Sequence, residues 1–151
     1  TDVSDKDLTN MINVNLIANF ILTKIFVKKM IKKKIKGNII NLSSQLGHIG
    51  AHNRSIYCMA KFGIEGLTKS LSLDLGKHGI RVNSVSPTKT IVKSSEKKPN
   101  KRLDEIKKKI PLGKFSTTQE IANIVYFLTT SSAASITGTS IISDGGWTAG
   151  K

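Results

Sequence analysis

Residues 38–87 of the chain read NIINLSSQLGHIGAHNRSIYCMAKFGIEGLTKSLSLDLGKHGIRVNSVSP. The segments 38–42 and 81–85 are short, apolar and rich in β-branched residues, which predicts two buried strands. Between them, leucine and isoleucine recur at spacings of three and four, which predicts a helix over 55–77. Gly79 is the stop signal that follows this helix. A strand–helix–strand unit of this kind indicates two parallel strands joined by a right-handed crossover.

The alternation of helix and strand continues on both sides of this unit. Upstream, an N-cap at Ser4 and a helical pattern predict a helix that reaches about Lys34 and stops before Gly37. Downstream, the pattern predicts a helix over 118–130 and a last short strand over 139–143. Three strands separated by helices predict an α/β fold, in which helices cover both faces of a parallel sheet.

Between the second strand and the last helix, the regular pattern is lost. Pro87 breaks the strand pattern. The segment 88–114 is polar, basic and poorly periodic, which predicts a mobile loop with one short helix near 103–109. Ser116 or Thr117 then provides the N-cap of the next helix.

The charge of the chain is concentrated in two lysine-rich segments. The formal net charge is +14, from 24 basic and 10 acidic residues, and the segments 28–36 and 93–109 carry +6 and +5 of it. A polyanionic partner is one interpretation, and a solvated lysine-rich surface is the other. We prefer the solvated surface, because no aromatic residue is interleaved with either segment and no zinc-finger spacing occurs. Nucleic acid is therefore not an expected partner.

Composition also narrows the expected location. The chain has one cysteine, so it cannot form an internal disulfide, which fits a reducing compartment. The longest apolar stretch, 16–22, is interrupted by Asn19 and is shorter than the ~18 residues of a membrane span. No basic stretch followed by an apolar core opens the sequence. We expect a cytoplasmic protein with no transmembrane helix and no membrane partner.

Tyr57 and Lys61 are the candidate catalytic pair. They lie four residues apart at the start of the predicted helix, which places them on one face. A neighbouring ammonium group favours the phenolate form of a tyrosine, so the pair can exchange a proton near neutral pH. Ser44 precedes Tyr57 by 13 residues and follows the first strand, at the edge where parallel sheets bind ligands. An ordinary surface pair is the alternative interpretation.

The runs NIINLSSQLGHIG, YCMAKFGIEGLTKSLSLDLGKHGIRVNSVSP and ITGTSIISDGGW resemble the core signature of the short-chain dehydrogenase/reductase family. The resemblance extends from Asp5 to Gly146. It implies a Rossmann-like, doubly wound parallel sheet. It also implies hydride transfer between NAD or NADP and an alcohol or carbonyl substrate.

The resemblance assigns a role to each matching position. Tyr57 would donate a proton in carbonyl reduction and accept one in alcohol oxidation. Lys61 would support Tyr57 and bind the ribose of the cofactor. Ser44 would bind the substrate oxygen, with Gln45 beside it in the substrate pocket. Asn15 would kink its helix and hold a water molecule in the proton relay.

The expected cofactor contacts come from Asn15, Tyr57, Lys61, Pro87, Thr88 and Thr90. Three features depart from the family pattern. Pro87-Thr88 stands where Pro-Gly is usual, and Val92 stands where a threonine often contacts the nicotinamide amide, so that Thr90 would supply the hydroxyl. The Gly-rich turn TGxxxGxG and the Asn-Ala-Gly motif do not occur. We therefore expect residues 1–151 to be one partial domain that lacks its N-terminal part.

Four other residues have weaker assignments. His48 and His52 either line the pocket or are exposed in the loop, and we expect them to be exposed. Cys58 is expected to make a small core contact. Trp147 is expected to pack near the pocket or at a subunit contact. The histidines and the cysteine lack the spacing of metal ligands.

These observations leave several functions open. We expect an oxidoreductase that acts on a sugar, polyol or sugar acid. The alternative is a 3-oxoacyl-acyl-carrier-protein reductase, because the lysine-rich segment 28–36 would attract an acidic carrier. The two non-enzymatic alternatives are that the chain is an inactive fragment or that it is a polyanion-binding protein. The helices after Asn15 and over 57–77 resemble the family's tetramer-forming pair, so a homo-oligomer, a dimer or tetramer, is expected.

Overall fold

A computed structural model describes residues 3–92 and 101–150. The helices are α1 (Asp5–Ile12), α2 (Ala18–Lys32), α3 (Ser55–Gly76), α4 (Lys101–Lys108) and α5 (Thr118–Thr129), with a π-helical turn at Asn13–Ile17 and 3₁₀ turns at Gln45–Gly47 and Ser131–Ala133. The strands are β1 (Asn38–Leu42), β2 (Arg81–Pro87), β3 (Thr90–Ile91), β4 (Ser116–Thr117) and β5 (Ser140–Ser143).

The main sheet has three parallel strands in the order β1-β2-β5. Leu42 pairs with Val85, and Pro87 pairs with Ser143, so the carboxyl ends of the strands meet at one edge. Each strand is reached through a helix, as parallel pairing requires. The predicted α/β, Rossmann-like fold is confirmed.

The core has one part on each face of the sheet. Val85 packs with Ile121 and Leu128 of α5. Val82 packs with Leu75 of α3, and residues of α2 pack against the same cluster. Successive side chains of a strand point to opposite faces, so residues 82 and 85, which are three apart, lie on opposite faces and pack against different helices. Helices therefore cover both faces of β2, as predicted.

The N-terminal helices form one continuous rod from residue 5 to residue 32. Ser4 caps it by accepting a hydrogen bond from the amide of Asp7, as predicted. The rod ends at Lys32, two residues before the predicted end near Lys34, and Lys34 takes the left-handed conformation, with a φ of 53°. In its most apolar window the mean hydropathy is 1.4, so length and composition alone would let it cross a membrane. Core helices of soluble proteins and signal sequences pass the same test, so only the exclusion based on uninterrupted apolar length is overturned.

The region after β2 differs in detail from the prediction. Pro87 does not end the strand early, because it pairs with Ser143 as the last residue of β2. The short helix is found at 101–108, slightly earlier than predicted. The small parallel pair β3–β4 was not predicted, since each strand has two residues. Residues 93–100 of the predicted loop lie outside the described residues.

Candidate active site

The candidate site lies at the carboxyl edge of the main sheet. Ser44 follows β1, Thr88 follows β2 and Asp144 follows β5. In open parallel sheets, this edge is where ligands bind. The fold therefore brings the residues after three separate strands to one region.

Tyr57 and Lys61 lie together on the first turns of α3. The Lys61 ammonium nitrogen is 5.5 Å from the centroid of the Tyr57 ring. Lys61 is buried, and its Nζ donates a hydrogen bond to the carbonyl oxygen of Leu42 at 3.1 Å. Desolvation lowers the pKa of Lys61 from its ordinary value of 10.5, and the carboxylate of Glu65 opposes this shift. Within residues 3–92 and 101–150, no hydrogen bond of the Tyr57 hydroxyl is found.

Ser44 and its neighbour Ser43 have different partners. Ser44 is buried, and its Oγ accepts a hydrogen bond from the amide of Leu46 at 3.2 Å, which caps the 3₁₀ turn. Its hydroxyl proton remains available to a substrate oxygen. Ser43 instead donates to the backbone oxygen of Lys61 at 3.5 Å. Gln45 leaves its Oε1 buried and without a partner in the described part of the chain.

Asn15 lies in the π-helical turn. Its Nδ2 donates to the backbone oxygen of Met11 at 3.1 Å. The turn packs against α3, because Gly63 leaves room for Leu16: a Cβ at position 63 would lie 2.8 Å from the Leu16 side chain. An interrupted helix was predicted here, and π-turns of this kind are frequent at functional sites. The water-holding role of Asn15 stays a prediction.

Two threonines, Thr88 and Thr90, follow β2 at the carboxyl edge of the sheet. Thr88 is buried, and its amide donates to the carbonyl oxygen of Ser143 at 3.1 Å. Thr90 donates from its hydroxyl to the carbonyl oxygen of Thr88 at 3.4 Å, while Val92 is exposed. Their roles at a nicotinamide amide stay predictions.

These residues fit part of a nicotinamide nucleotide. Lys61 uses one of its three N–H groups on Leu42, so two donors remain for ribose hydroxyls. Tyr57 lies on the same face of α3. The binding of a nicotinamide ribose by Lys61 and Tyr57 stays a prediction.

The expectation of exposed loop histidines is right for His52 and wrong for His48. His52 is exposed. The Nε2 of His48 lies 3.1 Å from Ser86 Oγ and 3.4 Å from Glu65 Oε1. Glu65, which the sequence did not single out, is a buried carboxylate behind the site. Its only local signal was an acidic residue on the apolar face of a helix.

Cys58 and the lysine-rich segment are closer to expectation. The Cys58 thiol is half-buried and lies 3.9 Å from the carbonyl oxygen of Ile49. All six lysines of segment 28–36 are exposed, as the solvated-surface interpretation requires. No group of three metal-ligating side chains occurs in the part of the chain that the structure describes.

Comparisons with known proteins agree with this geometry. A family described as enoyl-(acyl carrier protein) reductase matches residues 1–148. The 3-oxoacyl-[acyl-carrier-protein] reductase FabG of Rickettsia felis is 40% identical over 144 residues, which are 95% of this chain and 59% of that protein. A 4-hydroxyisoleucine dehydrogenase complexed with NADH has a TM-score of 0.93 and 36% identity, over 99% of this chain and 63% of that one. A proposed 2-deoxy-d-gluconate 3-dehydrogenase from Agrobacterium tumefaciens with bound NADP has a TM-score of 0.92 and 31% identity, over 98% and 61%.

The chain spans about three-fifths of the length of these relatives. Within that span, sequence and fold agree from end to end, and the Tyr-x-x-x-Lys pair lies at the carboxyl edge of a parallel sheet. The chain belongs to the short-chain dehydrogenase/reductase family.

Proposed function

We propose that this chain supplies the catalytic part of an NAD- or NADP-dependent oxidoreductase that acts on an alcohol or carbonyl group. The observation that carries the proposal is the buried Lys61 ammonium 5.5 Å from the Tyr57 ring, on a helix beside the loop of Ser44. The proposal is also supported by the relatives, two of which were solved with NADH or NADP. Cytoplasmic location and homo-oligomeric state stay predictions.

In this proposal, the chain's own residues orient the substrate and move one proton. Ser44 donates a hydrogen bond to the substrate oxygen, and Gln45 lies beside it. In reduction, Tyr57 transfers its hydroxyl proton to the carbonyl oxygen, and an alcohol results because the carbonyl carbon would gain the hydride that a bound cofactor supplies. The resulting phenolate is stabilised by the nearby Lys61 ammonium, and oxidation runs the same transfer in reverse.

The cofactor supplies the hydride when it is bound. Lys61 and Tyr57 would hold the nicotinamide ribose, while Pro87, Thr88 and Thr90 would line the nicotinamide amide. Asn15, at the π-turn, would hold the water that links Lys61 to solvent. The residues that select NAD or NADP are not among the motifs of this chain.

The central test compares the two tyrosines of the chain in the full-length protein. With a panel of carbonyl substrates and NADH or NADPH, we expect Tyr57→Phe to lower kcat roughly a thousandfold, because the proton donor is lost. Tyr126→Phe is the matched control, since Tyr126 is exposed on α5. Full activity of the Tyr57→Phe protein would refute the proposal.

Substrate class is a finer part of the proposal. We favour a sugar, polyol or sugar acid, in keeping with Pro87-Thr88 and the gluconate-type relative. The 40% identity to a 3-oxoacyl-[acyl-carrier-protein] reductase favours a carrier-bound acyl chain instead. Lys32, Lys33 and Lys34 are exposed at the end of α2, where an acidic carrier could dock.

Salt dependence separates the two substrate classes. For a carrier-bound substrate, replacing these three lysines with alanine should raise KM and weaken its salt dependence, with little effect on a short thioester mimic. For a sugar or polyol, the same variant should keep its kinetics. A protein that binds any polyanion through these lysines, but reduces no carbonyl, would be the non-enzymatic alternative.

A further inference from the structure

A buried polar cluster lies one helical turn beyond Lys61, and the proposed reaction does not use it. The Oε2 of Glu65 accepts a hydrogen bond from Ser84 at 2.7 Å. Its Oε1 accepts from Ser86 at 2.9 Å and from Ser140 at 3.4 Å. The Nε2 of His48 lies 3.1 Å from the Ser86 hydroxyl, 3.2 Å from that of Ser140 and 3.4 Å from Glu65 Oε1. The cluster therefore joins α3, β2, β5 and the loop after β1.

The hydrogen bonds of the cluster have one consistent direction. An ionised carboxylate only accepts, so Ser84 donates to Oε2 and Ser86 to Oε1, while the single proton of Ser140 goes either to Oε1 or to the Ser86 hydroxyl oxygen 2.9 Å away. His48 can then donate from Nε2 to those hydroxyls or to Glu65. Bonds to a charged acceptor in a buried site are stronger than neutral ones, so Glu65 is the anchor of the cluster.

The anchored loop is also the loop of Ser44. Ser44 caps the 3₁₀ turn, and His48 follows that turn directly. Between them, Gly47 is buried against α3: a Cβ there would lie 2.9 Å from the backbone oxygen of Lys61 and 3.1 Å from Glu65 Cγ. The turn thus rests on α3 between Lys61 and Glu65, and His48 closes the contact from the other side.

Glu65 also acts on the charge of Lys61. The carboxylate lies one helical turn away and raises the pKa of Lys61, against the larger effect of desolvation. One buried group thereby favours the ammonium form of Lys61 and holds the neighbouring loop.

We propose that Glu65 is a positioning residue. Through His48, it clamps the loop that carries Ser44 onto the helix that carries Tyr57 and Lys61. The kinetic consequence rests on the proposed oxidoreductase function. The clamp itself does not, so the two can fail separately.

The first test uses Cys58 as a reporter of the loop. Its thiol lies against the carbonyl oxygen of Ile49, just after His48, and is half-buried. In the full-length protein, thiol labelling followed by mass spectrometry of the Cys58 peptide measures how often the loop opens. We expect His48→Leu to label roughly tenfold faster, because it loses the N–H donor. His48→Gln keeps a donor at a similar reach and should label at nearly the wild-type rate.

Two controls separate the clamp from general destabilisation. His78→Gln changes an exposed histidine after α3, and Asp74→Asn changes an exposed carboxylate on α3, so neither should alter labelling. Glu65→Gln should accelerate labelling like His48→Leu. If Glu65→Gln does not fold, the two His48 variants decide the question, with Tm measured for each.

Kinetics give the second readout. We expect His48→Leu and Glu65→Gln to lower kcat roughly tenfold with Tm within a few degrees of wild type, and His48→Gln to restore most of kcat. Unchanged labelling in folded His48→Leu, or equal defects in both His48 variants, would overturn the clamp. If the wild-type protein reduces no carbonyl, the proposed function fails, and the labelling rates still decide the clamp.

Discussion

At the scale of single residues, burial makes the ammonium form of Lys61 less favourable in the folded chain than in the unfolded chain. Desolvation outweighs the attraction of Glu65, so the pKa of Lys61 is lower in the folded chain than its ordinary 10.5. The unfolded chain therefore binds this proton more tightly. The free energy of unfolding rises with pH between the folded-state pKa and 10.5, and the full cost is present below that window. Such costs are common where a site is arranged for catalysis.

This cost predicts a stabilising but inactive variant. At pH 7, the free energy of unfolding of the Lys61→Met protein should be about 1 kcal/mol higher than that of the wild type, because an unfavourable buried charge is removed. The gain should shrink as the pH approaches 10.5. Urea unfolding at pH 7 and pH 10 measures both. Lys69→Met, an exposed position on the same helix, should show no gain, and a less stable Lys61→Met protein at pH 7 would contradict the sign.

The sequence could predict contacts that depend on local spacing. Tyr57 and Lys61 are close because α3 places residues four apart on one face. The Glu65 cluster could not be predicted, because Ser84 and Ser140 meet only through the register of β2 and β5. That register depends on the whole sheet, and the same is true of the environment of His48.

At the scale of elements, α5 begins with a capping box. Thr117 Oγ1 accepts from the amide of Glu120, and the Glu120 carboxylate accepts from the amide of Thr117. Lys114 donates to the same carboxylate. The N-cap was predictable from the T-x-x-E pattern, although Ser116 was an equal candidate. Ser116 instead donates to the carbonyl oxygen of Ser143, which ties β4 to the end of β5.

Removing the cap should weaken the helix that covers one face of the sheet. We expect Thr117→Ala to lower the free energy of unfolding by about 1 kcal/mol, because an amide at the helix start loses its acceptor. Thr118→Ala, the next residue in α5, should have a much smaller effect. Urea unfolding of both variants checks this, and equal losses would argue against the cap.

The same cap predicts that stability decreases at acid pH. The hydrogen bond from Lys114, then those from Thr117, lower the pKa of Glu120 to about 2. The stabilisation by Glu120 is therefore complete above its ordinary pKa of 4.5 and is lost as the pH falls towards 2. Glu120→Gln should have a lower Tm than wild type near pH 7, and the difference should close between pH 4.5 and pH 2. A Tm difference that persists at the acid end would contradict this, and exposed Glu105→Gln is the control.

Element order and type were predictable because the segments are strongly periodic or apolar. Helix α3 was predicted within one residue of its observed end at Gly76. A pattern with a 3.6-residue period could not predict the π-turn, because such a turn departs from that period, and its Leu16 packs on Gly63 of a helix distant in sequence. The β3–β4 pair could not be predicted from the sequence either, because a strand of two residues is too short to show a periodic pattern.

At the scale of the whole molecule, the chain exposes more surface than a folded monomer of its mass, and large apolar side chains are among the exposed residues. The chain exposes 10074 Å², whereas a folded monomer of 16.4 kDa exposes about 7,500 Å². The excess is as large as a protein–protein interface. The N-terminal rod contributes apolar surface, since Val14, Leu22 and Phe26 are more than half exposed. In the described residues, β1 pairs only with β2, so its other edge is open as well.

This surface predicts that the 151-residue chain, expressed by itself, associates with its own copies. Light scattering after size exclusion should give a mass above that of a monomer, because exposed apolar side chains clustered on one rod favour association in water. The double variant Leu22→Ser/Phe26→Ser should reduce association while circular dichroism stays unchanged, since neither side chain is buried. Tyr126→Ser, exposed on α5, is the control. A monodisperse monomer would contradict the expectation, and flotation with lipid vesicles in place of self-association would indicate that the rod prefers a membrane.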